Sequence, residues 1–455
     1  MDMKKFVDRK EELNAIKKKL ADRGFDLIIL FGRRRVGKTA LILESVKNKE
    51  YIYFLAAERN NTSKFKRECL KHVEEIKYVE EDWEAIFSFL KNRIVIIDEF
   101  PNLLIEDRGI LSEFQRIVDT MLSTTNTKLV LLGSSVSMMK SEILAHKSPL
   151  YGRITSMLEL KPLRFFQIKD FFRNAGVEEL IRIYGFADGI PYYLRKIDKL
   201  PFFSWLENEI KKPDTFLKHE IDIILRTEFD EPFTYKEILE AIALGKTKLN
   251  EIKNHVGIKG EITKYLKHLI KTDFVERRVP VTESMKSKKG RYYLKDNFLR
   301  FWFRFIYPNL SPIEEGNFRI DFIKSQYNKY LGEVFEKVCY QYLLELIGKL
   351  KIPYFNKIGK QWGHVPERKH TYEIDIVALN ERTKEILFAE CKWRSRVNAE
   401  KICGELVEKA EHVEWHRGRR KEILAVFAKS FSKRIDEFEG RKVFCFDLRD
   451  LERQL

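Results

Sequence analysis

One octet constrains the fold more than any other feature of the chain. Gly32, Arg33, Arg34, Arg35, Val36, Gly37, Lys38 and Thr39 fit the pattern G-x-x-x-x-G-K-[ST]. The octet follows an apolar run, Leu27 to Phe31, and opens a helical run that starts at Ala40. The pattern requires this context, because glycines let backbone N–H groups wrap a polyphosphate at the N-terminus of a helix. Lys38 is expected on the β and γ phosphates, and Thr39 on Mg²⁺.

A second run, IVIIDEF (Ile94 to Phe100), is an apolar strand ending in two carboxylates. Asp98 is expected to support the Mg²⁺ shell, and Glu99 to polarise the attacking water. LVLLGSS (Leu129 to Ser135) is a further buried strand, which brings Ser134 forward as a polar sensor of the γ-phosphate. Arg153, in YGRIT, is a candidate to place positive charge on the transferred phosphoryl group, either within the chain or from a neighbouring copy in a homo-oligomer. Together these motifs point to ATP and ADP as ligands and Mg²⁺ as cofactor.

The motifs FVDRKEEL, GRRRVGKT, IVIIDEF, LVLLGSS, YGRIT and GFADGIPYYL stand in that order. The set resembles the archaeal ATPase family of the STAND/AAA-like P-loop class over roughly residues 1 to 225. The resemblance implies that Phe6, Arg9 and Leu13 lie near the adenine and that the turn Gly189-Ile190-Pro191 belongs to a lid. Asp188 stands where that family more often has a second glycine.

At 455 residues the chain is long enough for several compact units. Apolar residues make up 44% and charged residues 34%, which excludes wholesale disorder and low-complexity assembly. Alternating helical and β-rich runs predict a P-loop core with a parallel sheet over residues 1–160. A helical lid is expected over 161–225, a winged helix-turn-helix over 226–307, and a second α/β unit over 320–455. Pro308 to Pro312 reads as a linker. The fold class is therefore α/β: a P-loop parallel sheet with a helical lid, a winged helix-turn-helix and a C-terminal α/β unit.

In the third helix of the winged element, Ile262, Tyr265, Leu266, Leu269 and Ile270 form an apolar face. Lys264, Lys267, His268 and Lys271 are left outward. With a net charge of +16, DNA is the expected macromolecular partner, and the stretch SMKSKKG is expected to touch phosphates.

The last third carries a second chemical pattern. EIDIVAL (Glu373 to Leu379) and EILFAEC (Glu385 to Cys391) read as two strands of a hairpin. Alternation puts Glu390 and Lys392 on one face and Cys391 on the other, with Asp375 on the neighbouring strand. Adjacent carboxylates can hold Mg²⁺ while a lysine orients the water that attacks a phosphodiester. On the preceding helix, Glu333 and Glu336 share a polar side.

The set of Gly332, Phe335 and Glu336 on a helix, then Asp375, then Glu390-Cys391-Lys392, resembles the PD-(D/E)XK nucleases over about residues 295 to 455. Trp362-Gly363 adds to the likeness, and Ile374 takes the place of the proline in the family's name. The resemblance implies a restriction-endonuclease-like domain with Glu336, Asp375 and Glu390 as metal ligands and Asp375, Glu390 and Lys392 as catalytic residues. Two functions are thus in play: an ATPase whose nucleotide state regulates a Mg²⁺-dependent nuclease-like domain acting on DNA, or a regulatory scaffold ATPase whose C-terminal domain binds nucleic acid or protein without cutting.

Five separate cysteines without a C-x-x-C pair fit a reduced compartment. No apolar run reaches the length of a bilayer span, and the start MDMKKFVDRKEEL has no apolar h-region. A cytoplasmic protein without membrane contact is the expectation.

Overall fold

The computed structural model describes residues 6–258, 260–349, 351–365 and 370–455. The chain divides into two compact units. The first is drawn from Met1–Leu163, Ile190–Tyr192 and Lys271–Asp273, and the second from Arg164–Gly189, Tyr193–Ile270 and Phe274–Leu455.

The first unit is built on five strands: β1 (Asp26–Phe31), β2 (Tyr51–Leu55), β3 (Ile94–Asp98), β4 (Lys128–Gly133) and β5 (Ser156–Glu159). They pair in parallel in the order β2-β3-β4-β1-β5. Every residue of β1, β3 and β4 is buried, because helices cover both faces. In β1, Leu27, Ile29 and Phe31 enter one core, while Ile28 and Leu30 enter the other.

Beyond that sheet, glycine and proline positions mark the helix starts. The helix Val177–Ala187 begins after Gly176, Pro191–Lys196 begins on its proline, and Phe202–Lys211 follows Pro201. After the helix Glu220–Glu228 come three more, Pro232–Ala243, Leu249–Val256 and Thr263–Lys271. An antiparallel hairpin of β6 (Val275–Arg278) and β7 (Arg291–Leu294) completes the element.

Two details of this region depart from the sequence reading. Ile270 is 37% exposed rather than buried. His268 is half-buried, with its Nδ1 2.7 Å from the Tyr235 hydroxyl and its ring edge-on to Phe229. Ring partners available on the facing elements outweigh strict helical spacing. The Pro308–Pro312 stretch is not an open linker either. It continues as the short helical segments Tyr307–Asn309 and Leu310–Glu314, since a proline in a first helical turn forfeits no hydrogen bond.

The remainder is a mixed sheet. Its long strands are β8 (Lys357–Val365), β9 (His370–Asn380) and β10 (Glu385–Lys392). The short β11 (Val397–Asn398) precedes β12 (Lys421–Ala428), and β13 (Phe431–Lys433), β14 (Glu437–Phe438) and β15 (Arg441–Phe446) follow. The order is β14-β15-β12-β10-β9-β8, with β8, β9 and β10 antiparallel and β10, β12 and β15 parallel. The helices Asp321–Gly348 and Ala399–Ala410 belong to this unit.

Between the pairs Gly359 with Val377 and Gln361 with Ile374, β9 contains one residue more than β8. Ile374 and Val377 both enter the same core, which a regular strand of that spacing forbids. The irregularity is a β-bulge, and Asp375 lies in it.

Candidate functional site

The Lys38–Ser45 helix starts at Gly37, whose φ is +96°. At Gly32 a Cβ would stand 2.3 Å from the Leu160 carbonyl oxygen, so only glycine fits there. Arg35, between them, is also left-handed, and its guanidinium lies 4.2 Å from the centre of the Tyr192 ring. Lys38 is buried and donates to the Gly32 carbonyl at 2.8 Å and the Arg33 carbonyl at 3.1 Å.

Asp98, at the end of β3, is 3% exposed. One carboxylate oxygen accepts from the Thr39 hydroxyl at 2.6 Å and from the Tyr53 hydroxyl at 2.9 Å; the other accepts from the Glu99 backbone N–H. Burial and the Asp98 charge push the Tyr53 hydroxyl well above the usual tyrosine value. Glu99 itself has φ of +54°, a conformation that turns its carboxylate towards β4. There Ser134 donates to it through both its backbone N–H, at 3.2 Å, and its hydroxyl. Thr39, Asp98, Glu99 and Ser134 thus form one connected set.

Arg9 caps the Lys10–Ala21 helix with φ of +68° and is 5% exposed. Its guanidinium donates to the Val36 carbonyl at 3.1 Å and the Lys161 carbonyl at 2.6 Å, fastening the phosphate loop from behind. Phe6 and Leu13 pack against the core that holds Val36 and Leu41.

Arg153 requires a correction. It precedes β5 at the end of the sheet where the strands begin, beside Thr155, whose N–H meets the Leu27 carbonyl. The phosphate loop leaves the opposite end of β1, about 16 Å away along five strand residues. Arg153 is paired with Asp119 at 2.7 and 2.9 Å. It therefore does not reach the phosphate loop of its own chain.

Asp188 explains the departure from glycine seen in the sequence. It adopts φ of +51°, and its buried carboxylate accepts from the Gly189 N–H, the Asn297 N–H and Lys337. Those three bonds offset the strain of that backbone conformation.

The second cluster gathers on β8, β9, β10 and the Asp321–Gly348 helix. Glu336 projects into it, while Glu333 turns away to Arg300 and Arg304. Asp375, in the bulge, accepts from the Cys391 N–H at 2.9 Å. Burial, then the Glu336 and Glu390 charges, push its carboxyl up to about 7. Burial also raises Glu336. Glu390 is 2% exposed, with one oxygen bonded to Lys392 at 2.6 Å and the other to Lys409 at 2.5 Å. The Cys391 side chain turns to Cys339, and burial holds its thiol well above the usual value.

Sequence reasoning missed four members of this cluster. Lys360, on β8 opposite the bulge, stands 2.8 Å from Glu336, 2.8 Å from Glu373 and 3.9 Å from Asp375. Arg291 reaches Glu373 at 2.6 Å, and Lys409 reaches Glu390. Alternation along β9 places Glu373 near its neighbours, but nothing in the local sequence of β8 marks Lys360.

The expected triple ligand set for a metal is accordingly corrected. Among the described residues, no three His, Cys, Asp or Glu side chains are grouped as a metal would need. Glu336, Asp375 and Glu390 approach one another, but lysine ammonium groups lie among them. The cluster as arranged does not fit a divalent ion.

Among the described residues no helix is long and apolar enough to cross a membrane. Residues 6–197 match the family described as an ATPase domain predominantly from Archaea. Residues 302–402 match a family described as archaeal and bacterial proteins of unknown function, DUF234. In three dimensions the chain is similar to a Walker-type ATPase of Pyrococcus abyssi, with a TM-score of 0.51 and 22% identity, over 66% of this chain and 96% of that one. This likeness shows the P-loop ATPase fold. An uncharacterized ATP-binding protein of Methanocaldococcus jannaschii is 53% identical over 45 residues, 10% of this chain and 76% of that protein. The uncharacterized protein MJECL04 of the same organism is 52% identical over 452 residues, 98% of this chain and 99% of its own length. With that relative and the matched ATPase domain in hand, the chain belongs to the family of MJECL04, and within it this chain joins an archaeal ATPase domain to a DUF234 segment.

Proposed function

We propose that the protein is an ATP-hydrolysing switch whose nucleotide state governs how a nuclease-like C-terminal domain engages DNA. The observation that carries the ATPase half is the connected set of Thr39, Asp98, Glu99 and Ser134 beside the phosphate loop. Gly32 to Ala40 would cradle the phosphates. Thr39 and Asp98 offer the hard oxygen ligands that suit Mg²⁺, which when bound would neutralise charge on the β and γ phosphates. Glu99 would orient and deprotonate the attacking water, and Ser134 holds that carboxylate in its rotamer. Phe6 and Arg9 would border the adenine side, with Arg9 acting through the loop it fastens. Arg153, if it serves catalysis, does so on a neighbouring copy, which requires a homo-oligomer.

The three helices and hairpin of residues 226–307 support a winged helix-turn-helix, and residues 161–225 a lid. Exposed Lys264, Lys267 and Lys271 and the β6–β7 loop would meet DNA phosphates, so affinity should fall steeply with salt. The bulged Asp375 between Glu336 and Glu390-Cys391-Lys392 supports a restriction-endonuclease-like domain over 320–455. A cytoplasmic setting fits the five free cysteines.

The test is one panel: linear, branched and single-stranded DNA incubated with the full chain, each with and without Mg²⁺ and with ATP, ADP or no nucleotide. Cleavage that is lost in Asp375→Ala and Lys392→Ala while ATP turnover continues supports the reading; cleavage indifferent to nucleotide sinks the coupling. The scaffold reading, DNA or protein binding without cutting, is favoured by the cations already paired with the carboxylates, and it predicts no Asp375-dependent cleavage under any condition.

A further inference from the structure

On β15, Val443 enters the core of the C-terminal sheet and Cys445 packs against it, so alternation sends Lys442, Phe444 and Phe446 to the opposite face. Phe388 on β10 and Phe427 on β12 are inaccessible, whereas Phe444 and Phe446 are only half-buried. Their rings are parallel to within 5°, with centres 6.0 Å apart. Phe446 is braced by Phe427, stacked on it at 5.2 Å, and by Tyr342, edge-on at 5.5 Å. The Lys442 ammonium lies 4.8 Å from the centre of the Phe444 ring.

These two rings and Tyr342 line a cavity of about 250 Å³ whose polar residues are Lys351, Asp450, Arg453 and Gln454. Lys351 is exposed and, among the described residues, has no carboxylate partner; the same holds for Lys442. The acid of the lining, Asp450, is already matched by Arg434 at 2.8 Å and Arg453 at 3.3 Å. Gln454 adds an amide, which can both donate and accept. The cavity shares no residue with the carboxylate cluster; Tyr342 stands about 9 Å farther along the Asp321–Gly348 helix than Glu336.

We propose that this cavity takes an unstacked base of a single-stranded nucleic acid, which stacks on Phe444 or Phe446 while Lys351, Lys442 and Arg453 meet the flanking phosphates. Flat rings fixed in advance on a strand offer a stacking surface at little ordering cost, and every base has a face to place on it. A base within a duplex is covered on both sides by its neighbours and does not enter. Surplus positive charge at the rim favours a phosphodiester chain over a purely apolar occupant. The Gln454 amide suits the hydrogen-bonding edge of the base. The site acts by binding alone, so it stands whether or not the carboxylate cluster cuts.

The test uses the full chain in chelator, with short single strands of DNA and of RNA that carry one 2-aminopurine, whose fluorescence is quenched on stacking. At least one of the two strands should bind with quenching, and the matching duplex should show no quenching by the protein. Phe444→Leu keeps the apolar bulk but removes the ring. It is expected to weaken strand binding about tenfold and to remove most of the quenching, with Phe444→Trp restoring both. Lys351→Ala combined with Lys442→Ala changes two exposed positions, so it reads the site even if Phe444→Leu does not fold. It should flatten the slope of log affinity against log salt by about 1.4, the value for two lost phosphate contacts on a single strand.

Equal affinity and quenching in the parent and in Phe444→Leu overturns the proposal, as does an unchanged salt slope in the double lysine variant. So does an abasic residue in place of the 2-aminopurine that costs no affinity, since only phosphates are then bound. A 2-aminopurine nucleoside monophosphate that binds through Phe444 as tightly as the strands overturns it in favour of a free nucleotide. Failure of both strands to bind overturns it outright.

Discussion

Two carboxylate clusters in this chain satisfy their charge in opposite ways. At the phosphate loop, Asp98 and Glu99 are met by neutral donors: the hydroxyls of Thr39, Tyr53 and Ser134 and two backbone amides. In the C-terminal sheet, Glu336, Glu373, Asp375 and Glu390 are met by ammonium and guanidinium groups. Neutral donors orient a carboxylate without cancelling its charge, so it still attracts an outside cation. A lysine cancels it. The first arrangement leaves negative charge available to a cation from outside, and the second is already neutralised by side chains of the chain itself.

The largest effect that would sharpen this contrast is at the loop. Lys38→Ala is expected to lower ATP hydrolysis by about two to three orders of magnitude, and Glu99→Gln by a similar factor while leaving nucleotide binding in place. Steady-state phosphate release alongside equilibrium binding checks both. Retained turnover in Glu99→Gln would break the assignment.

Next comes the cost of removing a charged partner against that of removing a neutral one. Lys360→Met should destabilise the C-terminal unit by about 3–5 kcal/mol in metal-free buffer, because it strands buried charge. Tyr53→Phe at the loop should cost only about 0.5–1.5 kcal/mol, the net worth of one hydrogen bond. Urea unfolding of both variants, followed by circular dichroism, decides. Similar losses would erase the distinction between the two clusters.

A third effect, that of pH, lies outside both clusters, at Asp447, whose inaccessible carboxylate is paired with Arg434 and Arg449. Burial opposes its ionisation, but the bonds to Arg449 and Arg434 prevail and hold it down to about 2. Its contribution to stability is therefore complete above the ordinary aspartate value of 3.8 and is lost as pH falls towards about 2. Asp447→Asn should cost about 1–2 kcal/mol at pH 7 and progressively less between pH 4 and pH 2. A pH-independent difference would refute this.

The strands β1, β3 and β4 were legible because short apolar runs mark them, and the phosphate loop because its spacing reports a backbone shape; β5 carries Ser156 and Glu159, and no such run marks it. What the sequence could not show is pairing at a distance. Ser134 reads as a residue aimed at phosphate, yet its hydroxyl is spent on Glu99. Arg153 lies in a motif that suggests catalysis, yet strand direction carries it to the far end of the sheet. Lys360 is one lysine among many in a basic chain, and only the register of β8 against a bulged β9 puts it among the carboxylates.

That bulge also decides what a deletion would do. Because Ile374 and Val377 both point inward although three apart, the two halves of β9 are out of phase with each other by one position. Deleting Asp375 would bring Ile374 and Val377 two apart, so plain alternation would keep both inward and the hydrophobic interior intact. What would go is the surplus residue that seats a carboxylate beside Glu336 and Glu390. The extra position thus serves the polar cluster and not the core.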